Sequence, residues 1–163
     1  MKKITFLFFL VLVLSTSSSF SDTMPYYSYY TPVFMKRSDL EQSVSYQTEG
    51  RELKNLGKIY TKSPYIFVNE RYKGIHVINN TDPANPVKEG FIVAPGCVDV
   101  AVKGDILYLD NSVDLVAFSL LTKTVTHRIR NVFPEPAAPN NSFYYGFYGE
   151  DMVVVDWKLS ENY

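Results

Sequence analysis

From Lys58 onward the chain is written in short apolar runs that never grow long enough for a helix of ordinary length. Ile59-Tyr60, Tyr65 to Asn69, Ile75 to Asn79, Val87 to Val93, Val98 to Val102, Ile106 to Asp110, Leu115 to Leu120 and Thr124 to Arg130 follow one another. Phe143 to Tyr148 and Met152 to Trp157 read as a last hairpin around Gly149-Glu150-Asp151. The runs are rich in β-branched and aromatic residues, which fit a pleated, half-buried surface better than a helix. Between them stand Ser63-Pro64, Asp82-Pro83-Ala84-Asn85-Pro86, Pro95-Gly96 and Gly104-Asp105, all of which favour turns. Strands at this spacing predict an all-β domain, whether sandwich, barrel or propeller.

The runs also repeat. Tyr65-Ile66-Phe67-Val68-Asn69 matches Ile106-Leu107-Tyr108-Leu109-Asp110 at an offset of 41, and Ile75 to Asn79 matches Leu115 to Ser119 at 40. Phe143-Tyr144-Tyr145 and Met152 to Asp156 read as a third, partial copy, at an offset of 37 from the second. Multi-stranded units near this length are the mark of propeller blades. The expected fold is therefore all-β, with two full propeller-like repeats, a fragment, and one short N-terminal helix.

The stretch YIFVNERYKGIHVINNTDPANPVKEG at 65–90 resembles the LVIVD-repeat proteins of bacterial and archaeal cell surfaces. It has their apolar strand, Gly turn, Ile/Val strand, Asp-Pro, short gap, Pro-Val and polar exit. MVVVD at 152–156 is close to the name-giving pentapeptide, and DLVAFSL at 114–120 is a weaker copy. The resemblance covers roughly residues 57–160, and the short lipoprotein-like members of Bacteroides-type bacteria are the most similar as whole chains. It implies a β-propeller-like fold at the cell surface, no established chemistry and no active-site residues to transfer. Two features depart from it. A closed propeller takes about 4–8 four-stranded blades, and no Cys stands where a lipoprotein signal would be cut.

Lys2 and Lys3, the apolar stretch Ile4 to Leu14, and the small residues around Ser19 and Ser21 have the layout of a secretory signal cut after Ser21. The apolar run is too short to span a bilayer, which takes about 20 residues. The expected organisation is a signal peptide at 1–21, a Tyr-rich extended lead-in with a short helix at 22–56, and the β-repeat domain at 57–163. The exported chain, periplasmic or at the cell surface, would then have no membrane span. It would keep 142 residues, enough for one core, and a net charge near −3, which offers no basic stripe for nucleic acid. Within the lead-in, four tyrosines lie between Pro25 and Pro32, and proline at both ends favours an extended segment whose rings pack over the domain. Ser38-Asp39-Leu40-Glu41 is a capping box that predicts a helix running to about Ser45.

Catalytic motifs are not legible. His76 lies within an Ile/Val run and His127 within a polar one, with no local pattern of metal ligands around either. Asp110 to Asp114 starts like a calcium loop, but Leu115 and Leu121 stand where the EF-hand pattern needs Gly and Glu. A hairpin turn whose Asp and Asn bond their own backbone is the plainer reading. Cys97 is the single cysteine and reads as a core residue, with an intermolecular bridge as the alternative. No catalytic residue, metal site or cofactor is assigned.

Aromatic residues number 25 of 163, and aromatic side chains are enriched at interfaces. The leading expectation is thus a non-catalytic binding or scaffold module of the cell envelope, joining itself or another envelope protein through β edges. Its candidate contacts are Tyr26, Tyr27, Tyr29, Tyr30, Tyr72, Tyr144, Tyr145 and Trp157. A carbohydrate-binding protein that stacks exposed rings on glycans is the alternative, and a hydrolase using the histidines comes third.

Overall fold

The computed structural model describes residues 29–144 and 146–160. The signal segment, Tyr26, Tyr27 and Tyr145 lie outside the described residues. The described chain is mostly β, arranged as several antiparallel sheets with no closed barrel. No helix among the described residues is long and apolar enough to cross a membrane.

Among the described residues eleven strands and one helix succeed one another. They are β1 (Tyr30–Lys36), α1 (Arg37–Gln42), β2 (Ser45–Gln47), β3 (Leu56–Lys62), β4 (Tyr65–Glu70), β5 (Gly74–Asn79) and β6 (Val87–Val93). After these come β7 (Val100–Lys103), β8 (Ile106–Asn111), β9 (Asp114–Ser119), β10 (Thr124–Ile129) and β11 (Met152–Leu159). The first sheet is a meander of β3 to β6 with β2 added beyond β6, and the second is the meander β7 to β10. β1 and β11, far apart in sequence, form a third sheet of two strands.

The first two sheets repeat each other in register and in the bulge of their fourth strand. Thr61 pairs with Ile66 as Val102 pairs with Leu107, a shift of 41 on each strand. The turn after β4 has one residue more than the turn after β8, so the next strand shifts by 40. Glu89 is the residue skipped where β6 pairs with β5, and Thr126 is skipped at the matching place in β10. Such bulges bend and twist a strand locally; both meanders carry one on the fourth strand, and the first has another on β3 between Leu56 and Ile59.

The main core lies between these two sheets. Phe67, Ile75, Val77 and Ile92 from the first meet Val100, Leu107, Leu109, Val116 and Phe118 from the second, with Cys97 among them. The faces that meet are not the same face of the repeat. At the 41-residue shift, Phe67 corresponds to Tyr108, which points out of the second sheet, while Leu107 and Leu109 correspond to Ile66 and Val68 on the outside of the first. The sheets are therefore stacked in the same sense, each showing its partner a different side. Side chains tie the first strands of the meanders together: Lys58 pairs with Asp99, Tyr60 donates to the Val102 carbonyl at 3.2 Å, and Lys62 donates to the Gly104 carbonyl.

Two expectations need correction here. Phe143 to Tyr148 does not form a strand among its described residues, and β11 takes β1 as its partner instead. The third copy therefore does not extend the array. β11 lies across the ends of both meanders: the Ser112 hydroxyl donates to the Val154 carbonyl at 2.6 Å, and Lys73 pairs with Asp156. Val155 is skipped in the pairing with β1, so Val154 and Trp157, three apart, share a face. That face packs with Tyr72 and Ala138, while Val153 and Val155 pack with Leu40 and Val113.

The capping box is the second correction. The helix is Arg37–Gln42, and Lys36 precedes it with no side-chain cap. Ser38 instead donates to Asp39, and the Glu41 carboxylate accepts from Arg37 at 3.2 Å and from Arg130 at 2.8 Å. Tertiary ion pairing has taken the side chain that would have closed the box.

Candidate binding groove

A cavity of about 440 Å³ opens on the outer face of the second sheet. Its floor is Ala101, Tyr108 and Leu115, and its wall is the proline-rich strap Phe133 to Ala137 with Phe143. The prolines at 134 and 136 hold this strap extended, because each fixes its own φ and biases the preceding residue away from helix. The strap is anchored from below: Tyr72 donates its hydroxyl to the Ala137 carbonyl at 2.7 Å, and the Trp157 indole donates to the Pro136 carbonyl at 3.0 Å. Phe133 and Phe143 remain exposed at the rim, and Tyr108 is exposed on the floor.

Asp110 stands at one end of the groove. Its carboxylate accepts the backbone N–H of Val98 at 3.0 Å and of Asp99 at 2.9 Å. Burial raises its pKa, and those N–H donors together with the Cys97 thiol pull the other way. Its role is thereby architectural: it fixes the segment that feeds β7. Glu135 accepts from Tyr148, whose pKa is pushed up to about 12 by burial and by that carboxylate. Ser112 and the three acids Asp99, Asp110 and Glu135 line it too, but most of its walls are apolar and aromatic side chains.

The candidate residues chosen from sequence separate into inside and outside. Tyr72 and Trp157 are buried, and both spend their polar atoms on the strap, so neither presents a ring to a partner. That corrects their selection, and it removes Trp157 as a stacking surface for sugars. Tyr30 packs against the cluster around Trp157, whereas Tyr29 is exposed. Tyr144 is exposed and meets Phe34 edge-on at 5.7 Å. Phe133, Phe143, Tyr108 and Ala101 were not singled out from sequence. The pleat of β8 put Tyr108 outside, and only the repeat alignment with Phe67 could have marked it.

The remaining polar groups also sit in structural roles. His76 is buried, and its Nε2 lies 2.9 Å from Glu70, which accepts from Arg51 at 2.8 Å. His127 is exposed on β10, in the other sheet, so the two histidines do not form a site. The Asp110 to Asp114 stretch is a hairpin turn as expected, with Ser112 at φ 58°. Asp110 also takes a hydrogen bond from its own backbone, while most side chains of the turn reach other elements. Asp114 accepts from Arg37 and Arg128, each at 2.7 Å, and Asn111 donates to the Pro95 carbonyl at 2.8 Å. Among the described residues no group of three or more His, Cys, Asp or Glu side chains could hold a metal ion. Cys97 is a free, fully buried thiol, which keeps it from cross-linking chains in the folded state. Compared with family models, characterised proteins and solved structures, the chain matches none of them.

Proposed function

We propose that this chain is a non-catalytic binding and scaffold module of the cell envelope, with propeller-like blades of the LVIVD-repeat type, that engages a protein partner through its sheet surfaces. The single observation that carries the reading is the apolar groove on the second sheet. An apolar cleft with exposed rings at its rim, where polar groups are already committed to the backbone, is suited to holding a partner's side chains. The sequence of the N-terminal segment, basic, then apolar, then small, supports export. Support for the blade reading comes from the two meanders, which share register and bulge position and stack in the same sense, as successive blades do. Chemistry on a bound molecule would need an activated nucleophile or a proton donor facing the groove, and of its acids Asp110 is held by N–H groups, Glu135 by Tyr148 and Asp99 by Lys58.

The test places a photo-crosslinking amino acid at Phe143 or at Tyr108 in cells that express the whole chain. Fractionation should find the protein in the envelope, and irradiation should give discrete adducts at protein-sized mass increments from both positions. A cytoplasmic protein, or one that forms no adduct at either position, would remove this reading.

A further inference from the structure

We infer that the segment this groove takes from its protein partner is basic as well as apolar, with an arginine or lysine whose charged head meets the groove's carboxylates while its stem lies on the rings. The inference rests on the binding reading above and names the chemistry of the occupant. Apolar contact accounts for most of the groove's walls but not for its charge. Asp99, Asp110 and Glu135 line it, and no lysine, arginine or histidine does. Their partners leave most of that charge in place. Asp110 is held by the Val98 and Asp99 amides and Glu135 by the Tyr148 hydroxyl, all neutral donors. Lys58 pairs with Asp99, but both side chains are more than half exposed, where an ion pair contributes little. A cavity with that balance repels an acidic segment and draws in a basic one.

The first sheet shows how this chain fills an outward face that combines a ring with a carboxylate. Phe91 and Glu70 point outward there, on the same side as Val68 and His76. Arg51, from the segment before β3, lays its guanidinium over the Phe91 ring at 3.9 Å and donates to Glu70 at 2.8 Å. With that cover in place Phe91 is fully buried. The outward face of the second sheet has the same ingredients, and among the described residues no base lines it. Tyr108 and Asp110 point to one side of β8, and Ala101 and Ala117 oppose Tyr108 on the neighbouring strands. Those small side chains leave the ring uncovered on the cavity floor. The strap brings Glu135 to the wall rather than a base, so it encloses the cavity without supplying what Arg51 supplies on the first sheet. An arginine from a partner can lie over the Tyr108 face, run its stem along the apolar walls and reach Asp99 or Glu135. Arginine suits the place better than lysine, since a flat guanidinium stacks on a ring and pairs with a carboxylate at once. Apolar residues on either side of it would cover Phe133 and Phe143 at the rim.

The experiment extends the crosslinking test. Cells express the whole chain with benzoylphenylalanine in place of Phe143 or, separately, of Tyr108, and the captured peptides are sequenced by mass spectrometry. Each should carry an arginine or lysine close to the attachment point, flanked by apolar residues. The capture is then repeated with Asp99→Asn and Glu135→Gln together, which keep an acceptor for the Val100 amide and for Tyr148. Losing both charges should cut adduct yield per chain at least about fivefold. Glu49→Gln with Glu52→Gln removes the same charge away from the groove and should leave the yield unchanged. The captured sequences are read on the unaltered acids, so they decide the matter even if a variant folds poorly. Captured peptides without a base overturn the inference, as do equal yields from the acid and control variants, and in both cases the binding reading stands. No adduct at either position, or adducts to lipid or glycan alone, removes both.

Discussion

His76 is the side chain whose protonation the fold resists most visibly. Its Nε2 faces Glu70 at 2.9 Å, while its Nδ1 is buried without a hydrogen-bond partner among the described residues. A neutral ring donating from Nε2 suits that setting, whereas a second N–H would have no acceptor. Burial accordingly lowers the His76 pKa, and the Glu70 carboxylate offsets only part of that. An unfolded histidine protonates near about pH 6.5, so below that pH the unfolded chain holds a proton the folded chain lacks. Stability should fall as pH drops through this window. We expect the urea midpoint to decline between about pH 7.5 and about pH 5.5, and the decline to shrink in His76→Gln. Equal declines in both proteins would assign the slope to other groups. Asp114 gives a slope of the same sign, at lower pH. Burial alone would raise its pKa, but Arg128, the Asn131 amide and Arg37 hold it below the usual carboxylate range. Its contribution is present at neutral pH and is lost as pH falls through the lowered value. Asp114→Asn leaves two arginines facing a neutral amide and should cost about 3 kcal/mol in chemical denaturation. A loss below about 1 kcal/mol would mean the pair is solvated.

At the scale of the element, the turns determine whether each meander can form. Gly74 has a φ of +141°, and a Cβ there would stand 2.0 Å from the Ile92 carbonyl oxygen on the neighbouring strand. Gly104 is also at positive φ, 59°, but nothing lies within 4 Å of its missing Cβ. Both replacements with alanine meet backbone strain, and only the first also meets a clash. Gly74→Ala should lower stability by about 3 kcal/mol and Gly104→Ala by about 1 kcal/mol, read as denaturant midpoints. Similar costs for the two would mean that β6 moves away from β5 easily. The β1 strand shows how an element can be hidden by its own composition. Thr31-Pro32 ends the segment read as an extended lead-in, yet the strand runs through it: among the described residues β1 pairs only with β11, and an edge strand tolerates proline. The converse holds at 143–148, where aromatic residues suggest a strand. There the rings leave the sheet and gather on Phe34, Tyr144 edge-on and Tyr148 stacked at 4.7 Å.

For the molecule as a whole, the question is whether the two-stranded cap and the paired meanders unfold together. Trp157 is buried in the cap with its indole on the strap, and Cys97 is buried between the meanders, so each reports on a different body. Burial also raises the Cys97 pKa well above its ordinary value, which suppresses the reactive thiolate. The Lys73–Asp156 pair and the Ser112 bond to Val154 join cap to meanders. We expect Trp157 emission and Cys97 reactivity toward a thiol reagent to change at the same denaturant concentration, as in a two-state transition. Exposure of Trp157 well before Cys97 would show the cap to be a separate cooperative unit.

Nine strand segments, the turn residues between them and the repeat of the two meanders follow from local pattern: β-branched and aromatic runs alternate, and glycine or proline stands where the backbone must turn. Burial of Cys97 is legible in the same way, from an apolar thiol beside apolar neighbours. Pairing across long separations is not. β1 finds β11 because the two bury Val154 and Trp157 on one side and Val153 and Val155 on the other, and no sequence period records a contact between distant ends. Which face of the second sheet stays open was likewise a tertiary decision. The two meanders have nearly the same alternation, so either side of each could have been buried. Stacking them in the same sense used one side of each, left the other two outward, and so produced the groove.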